Sequence, residues 1–131
     1  MSSITIQHKI LNTFLSFVLT SSAFITIQSQ PAAAQNNIAC NCVLYARTLA
    51  PSLPRGLFTL QDKIRIINSY QPSQGAVAII DSGLQWGHVA VVTGVNSNGT
   101  ISIQESNWTR CRIGSRSGTP QALRVVGYYQ P

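Results

Sequence analysis

One stretch of the chain constrains the fold more than any other, because its pattern is that of a β-hairpin. An apolar run from His88 to Val95 is followed by Asn96-Ser97-Asn98-Gly99, and a second strand-like run extends from Thr100 to Trp108. An Asn-Gly pair between two such runs is the strongest short-range signal for a turn between antiparallel strands. The sequence therefore predicts an antiparallel sheet that contains this hairpin.

The second strand of the hairpin alternates, and its apolar side carries the only glutamate of the chain. Side chains at every second position share a face, so Glu105 and Asn107 point the same way as Ile101 and Ile103. A buried carboxylate without a partner is costly. Glu105 therefore needs a partner from a neighbouring strand.

The turn predicts that partner. We expect Val95 to pair with Thr100, a register that would place His88 opposite Asn107 with Glu105 on the diagonal. A shift of two residues would keep the three polar side chains on one face, whereas a shift of one would separate them. The alternative is that His88 only begins a strand and that Glu105 is a charge at the rim.

The N-terminal quarter has the pattern of a secretory leader. It lacks acidic residues, Lys9 precedes an apolar run up to Ile27, and three alanines end at Ala34. A positive start, an apolar middle and small residues at the end are what signal peptidase recognises. We predict a leader over 1–34 and a secreted, periplasmic or cell-wall domain over 35–131. The alternative is a membrane anchor, but polar residues interrupt the apolar run, which is short for a span of ~20 residues.

Composition narrows the class of the domain. The chain has nine Lys and Arg against three Asp and Glu, and 44% of its residues are hydrophobic. This balance excludes a disordered or low-complexity chain. The basic residues are not interleaved with aromatic residues, so we expect no nucleic-acid partner. We also expect that the domain has no stable membrane anchor and that it is a monomer.

Loss of the leader would leave His88 as the only histidine available for acid/base chemistry near neutral pH. The same domain holds three cysteines, Cys40, Cys42 and Cys111. An odd number in an oxidising compartment implies either an intermolecular bond or one thiol that is kept free. One bridge and one reactive thiol fit this count.

Cys42 lies where a helix should begin. The segment from Asn41 to Ala50 is typical of a helix, with Asn41 as N-cap and Pro51 as the stop. Unpaired N–H groups in the first turn favour an anion, so the pKa of the Cys42 thiol should fall below its free value of ~8.5. The alternative for a cysteine in a helix is a small buried apolar side chain.

Three further elements complete the predicted domain. Thr59-Leu60-Gln61-Asp62 resembles a capping box that opens a helix with apolar Ile64, Ile66 and Ile67. The continuous apolar run from Ala76 to Asp81 predicts a buried strand, and the segment from Ala122 to Tyr129 predicts a last strand of the sheet.

A thiol at a helix start, a single histidine, a carboxylate and a carboxamide are the parts of a cysteine nucleophile system. Cys42 would be the nucleophile, and His88 would hold its proton and later give it to the leaving amine. Glu105 or Asn107 would orient the imidazole and stabilise its charged form. The backbone N–H of Cys42 is the natural donor to an oxyanion.

Four short blocks carry a resemblance to a known family. They begin at Cys42, Pro72, Gly87 and Glu105, and read CVLYAR, PSQGAVA, GHVAVV and ESNW. In this order and with this spacing they resemble the CHAP domain (cysteine, histidine-dependent amidohydrolase/peptidase), a papain-like family. The similarity extends over nearly all of the chain from Cys42 to Pro131.

The resemblance implies an α+β domain of the papain-like kind, with N-terminal helices packed on a twisted antiparallel sheet. It implies a hydrolase that cuts an amide bond of bacterial peptidoglycan, in the stem or cross-bridge peptide or between muramic acid and alanine. The family's cysteine, histidine, acidic and amide positions fall on Cys42, His88, Glu105 and Asn107. No metal or other cofactor is expected. The alternative is an inactive cell-wall-binding module with the same fold.

Three expectations follow for the surroundings of the site. A bond between Cys40 and Cys42 would silence such an enzyme, so we predict that Cys40 pairs with Cys111. Substrate-binding roles are predicted for Tyr45, Trp86 and Trp108. We expect the loop after Trp108 to be basic, because it contains three arginines. These are Arg110, Arg112 and Arg116.

Overall fold

The computed structural model describes residues 37–131. The predicted leader and its cleavage site lie outside the described residues. In chain order the elements are α1 (Cys42–Leu49), α2 (Leu60–Ile64), β1 (Val77–Ile80), β2 (His88–Val95), β3 (Ile101–Ser106), β4 (Ile113–Gly118) and β5 (Val125–Tyr129).

The five strands form one antiparallel sheet in the order β4-β3-β2-β1-β5. The hairpin of β2 and β3 lies inside the sheet, as its turn signal predicted. Helices α1 and α2 precede the sheet in the chain, and α1 contacts β2 and β3. The α+β class predicted from the sequence is confirmed.

The first helix begins where its cap predicts. The Asn41 side chain accepts hydrogen bonds from the backbone N–H groups of Val43 and Leu44, both at 3.0 Å. Such a cap satisfies donors that have no partner within the helix. The helix ends at Leu49, two residues before Pro51. Cys42 is therefore the first helical residue.

The second helix is shorter than its apolar pattern suggests. The predicted capping box is present, with Thr59 and Asp62 bonded reciprocally. The helix ends at Ile64 because the following chain turns to the sheet, where Asn68 and Ser69 donate to the carbonyl of Tyr128. The two later isoleucines thus pack as parts of a loop.

The register of the hairpin differs from the prediction beside the turn and agrees with it near the site. Val95 pairs with Ile101, not Thr100, so the predicted pairing at the turn is wrong. A bulge between Val92 and Gly94 absorbs this one-residue offset. Beyond the bulge Val91 pairs with Gln104, which is the predicted register. Without the bulge, the polar side chains would lie on opposite faces.

The sheet has an apolar core on each face. Val77, Ile79, Val89 and Val91 pack with residues of α1 and the loops that follow it. The alternate positions of the same strands form the second cluster. Its buried members are Ala76, Ala78, Ile80, Ala90, Val92, Ile101, Ile103, Leu123 and Tyr128.

A disulfide joins Cys40 to Cys111, and Cys42 is the cysteine left free. This is the pairing predicted from the sequence. The bond connects the segment before α1 to the connection between β3 and β4. The hydroxyl of Ser106, at the end of β3, donates to the carbonyl of Ile38 and supports the same junction.

One prediction concerns stability. Ile79 is fully buried in the middle of β1, so Ile79→Ala should lower the free energy of unfolding by about 2–5 kcal/mol through lost burial and the cavity it leaves. Val126→Ala, on the exposed side of β5, is the matched control and should change it by less than about 1 kcal/mol. Urea denaturation measures both. Equal losses would contradict the placement of Ile79 in the core.

Candidate active site

The thiol of Cys42 lies at the start of α1, beside the first residues of β2. The side chain of His88 and the backbone N–H of Val89 both act on the sulfur. Burial alone would raise the pKa of Cys42, but these two contacts and the positive charges of His88 and Lys63 outweigh it and lower that pKa.

His88 connects this thiol to Glu105. The ring atom Nε2 of His88 lies 2.9 Å from Oε2 of Glu105, and the two residues are 5% and 3% exposed. Burial lowers the pKa of His88, but its hydrogen bonds to Cys42 and Glu105 and their negative charges outweigh this effect and raise it. The raised pKa of the imidazole and the lowered pKa of the thiol favour the ion pair between them.

Glu105 has a second partner, Arg116, which the sequence-based reasoning missed. The guanidinium donates from Nε to Oε1 at 2.5 Å and from a terminal nitrogen to Oε2 at 3.1 Å. Burial would raise the pKa of Glu105, yet the hydrogen bonds from His88 and Arg116 lower it. The buried carboxylate therefore stays ionised between two cationic groups.

The prediction that Arg116 lies in a basic loop is wrong, because residues 113–118 form β4. Its sequence, IGSRSG, lacks the alternation of apolar and polar residues that marks a strand, since β4 is an exposed edge. The only signal available was the need of a buried carboxylate for a partner. Four arginines follow Glu105 in the chain, and the register of β3 with β4 decides among them.

Trp108 packs against both partners of Glu105. The guanidinium carbon of Arg116 lies 3.8 Å from the centroid of the Trp108 ring. The same ring meets His88 edge-on, with centroids 5.2 Å apart and an angle of 62° between the planes. This contact limits how far the imidazole and the guanidinium can turn.

Cys42 and His88 open onto a cleft of about 810 Å³. Three basic side chains line it, Arg47, Arg55 and Lys63, and its lining contains no acidic residue. Arg47 is occupied in part, because it donates to the carbonyls of Leu53 and Pro54. The cleft is therefore of a size and charge that suit an anionic organic substrate.

The remaining predicted site residues have separate positions. Trp86 and Trp108 line the cleft with half-exposed rings. Tyr45 lies in the interior at 8% exposure and is not among the residues that line the cleft, so its substrate-binding role stays a prediction. Asn107 lines the cleft, but its side-chain oxygen accepts from the backbone N–H of Cys111 at 2.9 Å, whereas Glu105 contacts the imidazole directly.

In the part of the chain that the structure describes, no three His, Cys, Asp or Glu side chains are grouped so that they could hold a metal ion. Within residues 37–131, no helix is long and apolar enough to cross a membrane.

The wall of this cleft holds a free thiol beside an imidazole that in turn contacts a carboxylate. This arrangement is typical of cysteine-dependent hydrolases of the papain-like kind. Comparison with known proteins identifies the family. The CHAP domain model matches residues 33–107, more than half of the chain. This protein therefore belongs to the CHAP-domain family.

Two kinds of relative agree with this assignment. N-acetylmuramoyl-L-alanine amidase sle1 from two strains of Staphylococcus epidermidis is 48% identical over 59 residues, which cover 45% of this chain and 18% of the relative. This chain thus matches less than a fifth of that relative's length. The crystal structure of an N-acetylmuramoyl-L-alanine amidase from Staphylococcus aureus superimposes with a TM-score of 0.53 at 25% identity, covering 67% of this chain and 30% of the other.

A second prediction concerns the arginine clamp. Arg116→Gln should lower the free energy of unfolding by about 1–3 kcal/mol at neutral pH, because buried Glu105 loses charge-assisted hydrogen bonds. The loss should shrink as pH falls below ~4.3, the ordinary value for glutamate, and through the lowered pKa of Glu105, since a protonated carboxyl group no longer needs the guanidinium.

Urea denaturation between pH 7 and pH 3 measures both effects. Arg112→Gln, which removes an exposed arginine before β4, is the control for the change in net charge. Equal losses in the two variants, or a loss independent of pH, would contradict the clamp.

Proposed function

We propose that this protein hydrolyses an amide bond of bacterial peptidoglycan with Cys42 as nucleophile, His88 as general acid and base, and Glu105 as the orienting group. The observation that carries the proposal is the position of the His88 ring, which contacts the thiol on one side and a buried carboxylate on the other. Membership of the CHAP-domain family supports the reaction class.

The reaction would follow the chemistry of other cysteine nucleophiles. The thiolate of Cys42 attacks the amide carbonyl carbon, and a carbon–sulfur bond forms. The carbon–nitrogen bond then breaks, and the imidazolium of His88 gives its proton to the leaving amine. A water molecule then gives a proton to His88 while its oxygen attacks the thioester carbonyl carbon. The carbon–sulfur bond breaks, which releases the carboxyl product and restores the thiolate–imidazolium pair.

The start of α1 would stabilise the charge that develops on the carbonyl oxygen. The side chain of Asn41 occupies the N–H groups of Val43 and Leu44. The N–H of Cys42 is the first-turn donor that would serve an oxyanion. The positive end of the helix dipole favours the thiolate at the same place.

The cleft supports peptidoglycan as the substrate. Peptidoglycan stem peptides carry free carboxylates, which suit the positive charge that Arg55 gives to the lining. Exposed rings of Trp86 and Trp108 would pack on sugar or peptide. Two relatives are described as N-acetylmuramoyl-L-alanine amidases, so the amide between muramic acid and L-alanine is the bond to test first.

We further propose that residues 1–34 direct the protein to the cell wall or the periplasm and are then removed.

Loss of the nucleophile or the base tests the proposal directly. Cys42→Ala and His88→Ala should each reduce release of soluble fragments from purified cell walls by at least ~1000-fold. Glu105→Gln should reduce it less, because the imidazole keeps a hydrogen-bond partner but loses the charge that stabilises its protonated form. Mass spectrometry of the fragments identifies the bond that is cut.

The control is Thr93→Ala, an exposed change at the bulge of β2, which should leave the rate unchanged. Fragment release by Cys42→Ala at the wild-type rate would refute the proposed nucleophile. If wild type and Cys42→Ala bind the wall equally and neither releases fragments, the inactive binding module is the correct function.

The pH dependence gives a further prediction. The active form is the thiolate–imidazolium pair, so kcat/KM should rise with pH as Cys42 loses its proton and fall as His88 loses its own. Because the pKa of Cys42 is lowered and that of His88 is raised, the rising limb should lie below the usual thiol range and the falling limb above the usual imidazole range. Initial rates from pH 4 to pH 10 test this, and a single rising limb near ~8.5 would contradict it.

A further inference from the structure

Lys63 is a buried cation beside the site that the catalytic scheme does not use. Its side chain belongs to α2 and is 2% exposed, although burial of an ammonium group is costly. Within residues 37–131 it is the only lysine. A buried ammonium group needs hydrogen-bond acceptors or an anion to offset its desolvation.

The ammonium connects two segments of the cleft wall. Nζ donates to the carbonyl of Leu57 at 2.9 Å and to the carbonyl of Trp86 at 2.8 Å. One segment carries exposed Phe58, and the other leads through Gly87 directly into His88. Gly87 itself has a positive φ of 60° and has no room for a Cβ, which would lie 2.8 Å from a methyl carbon of Leu60. The start of β2 is therefore held closely against α2.

The same ammonium acts on the thiol of Cys42. Both side chains line one cleft, and their charges attract. The other titratable group that faces Cys42 is His88 on β2, while Glu105 on β3 and Arg116 on β4 act through the His88 ring. Burial lowers the pKa of Lys63, and the charges of the Cys42 thiolate and of Asp62, its neighbour on α2, oppose that shift.

We propose that Lys63 is a positioning residue of the cysteine site: it fixes the segment that leads into His88, and its positive charge stabilises the thiolate of Cys42. The charges within the site explain why a second cation is needed. The imidazolium of His88 is shared between the thiolate and Glu105, so its charge is divided between two anions. Lys63 supplies the thiolate with a cation that no carboxylate in the cleft lining neutralises. This role rests on the proposed function only in so far as the thiolate is the nucleophile.

The test is alkylation of the purified protein by iodoacetamide as a function of pH, because the other two cysteines form the disulfide and the reagent reports Cys42. Lys63→Gln keeps a hydrogen-bond donor and removes the charge. It should move the alkylation curve to higher pH and slow the reaction at neutral pH by roughly 3- to 10-fold, since tenfold corresponds to one pH unit in the ratio of thiolate to thiol. Lys63→Arg should restore most of the wild-type rate.

Arg65→Gln is the matched control, because it removes one positive charge from an exposed side chain two residues along. Its alkylation curve should coincide with that of wild type. A Lys63→Gln curve that coincides with wild type, in a variant that circular dichroism shows to be folded, would overturn the proposal and leave Lys63 a structural connection only.

A second measurement applies if Lys63→Gln does not fold. Coupling between two charges is reciprocal, so Cys42→Ala should lower the titration midpoint of the Lys63 ammonium, followed by the ¹³Cε chemical shift. An unchanged midpoint would overturn the proposal. Neither measurement uses cell wall, so failure of fragment release by wild type would reject the hydrolase function and leave these results standing.

Discussion

The buried carboxylate of Glu105 is the interaction on which the site depends. An ionised carboxylate in the interior is tolerated only with full compensation, because its desolvation costs more than a single weak contact returns. Here the imidazole of His88 and the guanidinium of Arg116 share its two oxygens. Removing either partner would leave the buried charge only partly compensated, so the carboxylate holds β2, β3 and β4 in one relative position at the end of the sheet.

This arrangement fixes the position of the thiol relative to the sheet. Trp108 packs on the guanidinium and on the edge of the imidazole, and the imidazole in turn holds the thiol of Cys42. The disulfide between Cys40 and Cys111 ties the start of α1 to the connection that carries Trp108. A small domain with limited core area gains rigidity at its site from such cross-connections rather than from additional burial.

Much of the architecture could be predicted because the signals are local. The Asn-Gly turn, the Asn41 cap and the capping box at Thr59 each involve residues within four positions of one another, and all three are confirmed. The bulge after Val92 was not predicted, because the pairing of β2 with β3 is set by the packing of both strands and not by the turn alone. The edge strand β4 was missed since its side chains face solvent and show no apolar period.

The sequence alone determined the chemistry that this protein has available: one histidine in the described domain, one glutamate, and one cysteine left over when the other two pair. It also indicated the family, because the residues around these groups keep a recognisable order. Tertiary structure decided how the groups are supported. Arg116 lies 11 residues from its partner Glu105 in the chain, and Lys63 lies 23 residues from its partner Trp86. Hydrogen bonds across such separations depend on strand register and helix packing, which no local sequence pattern encodes.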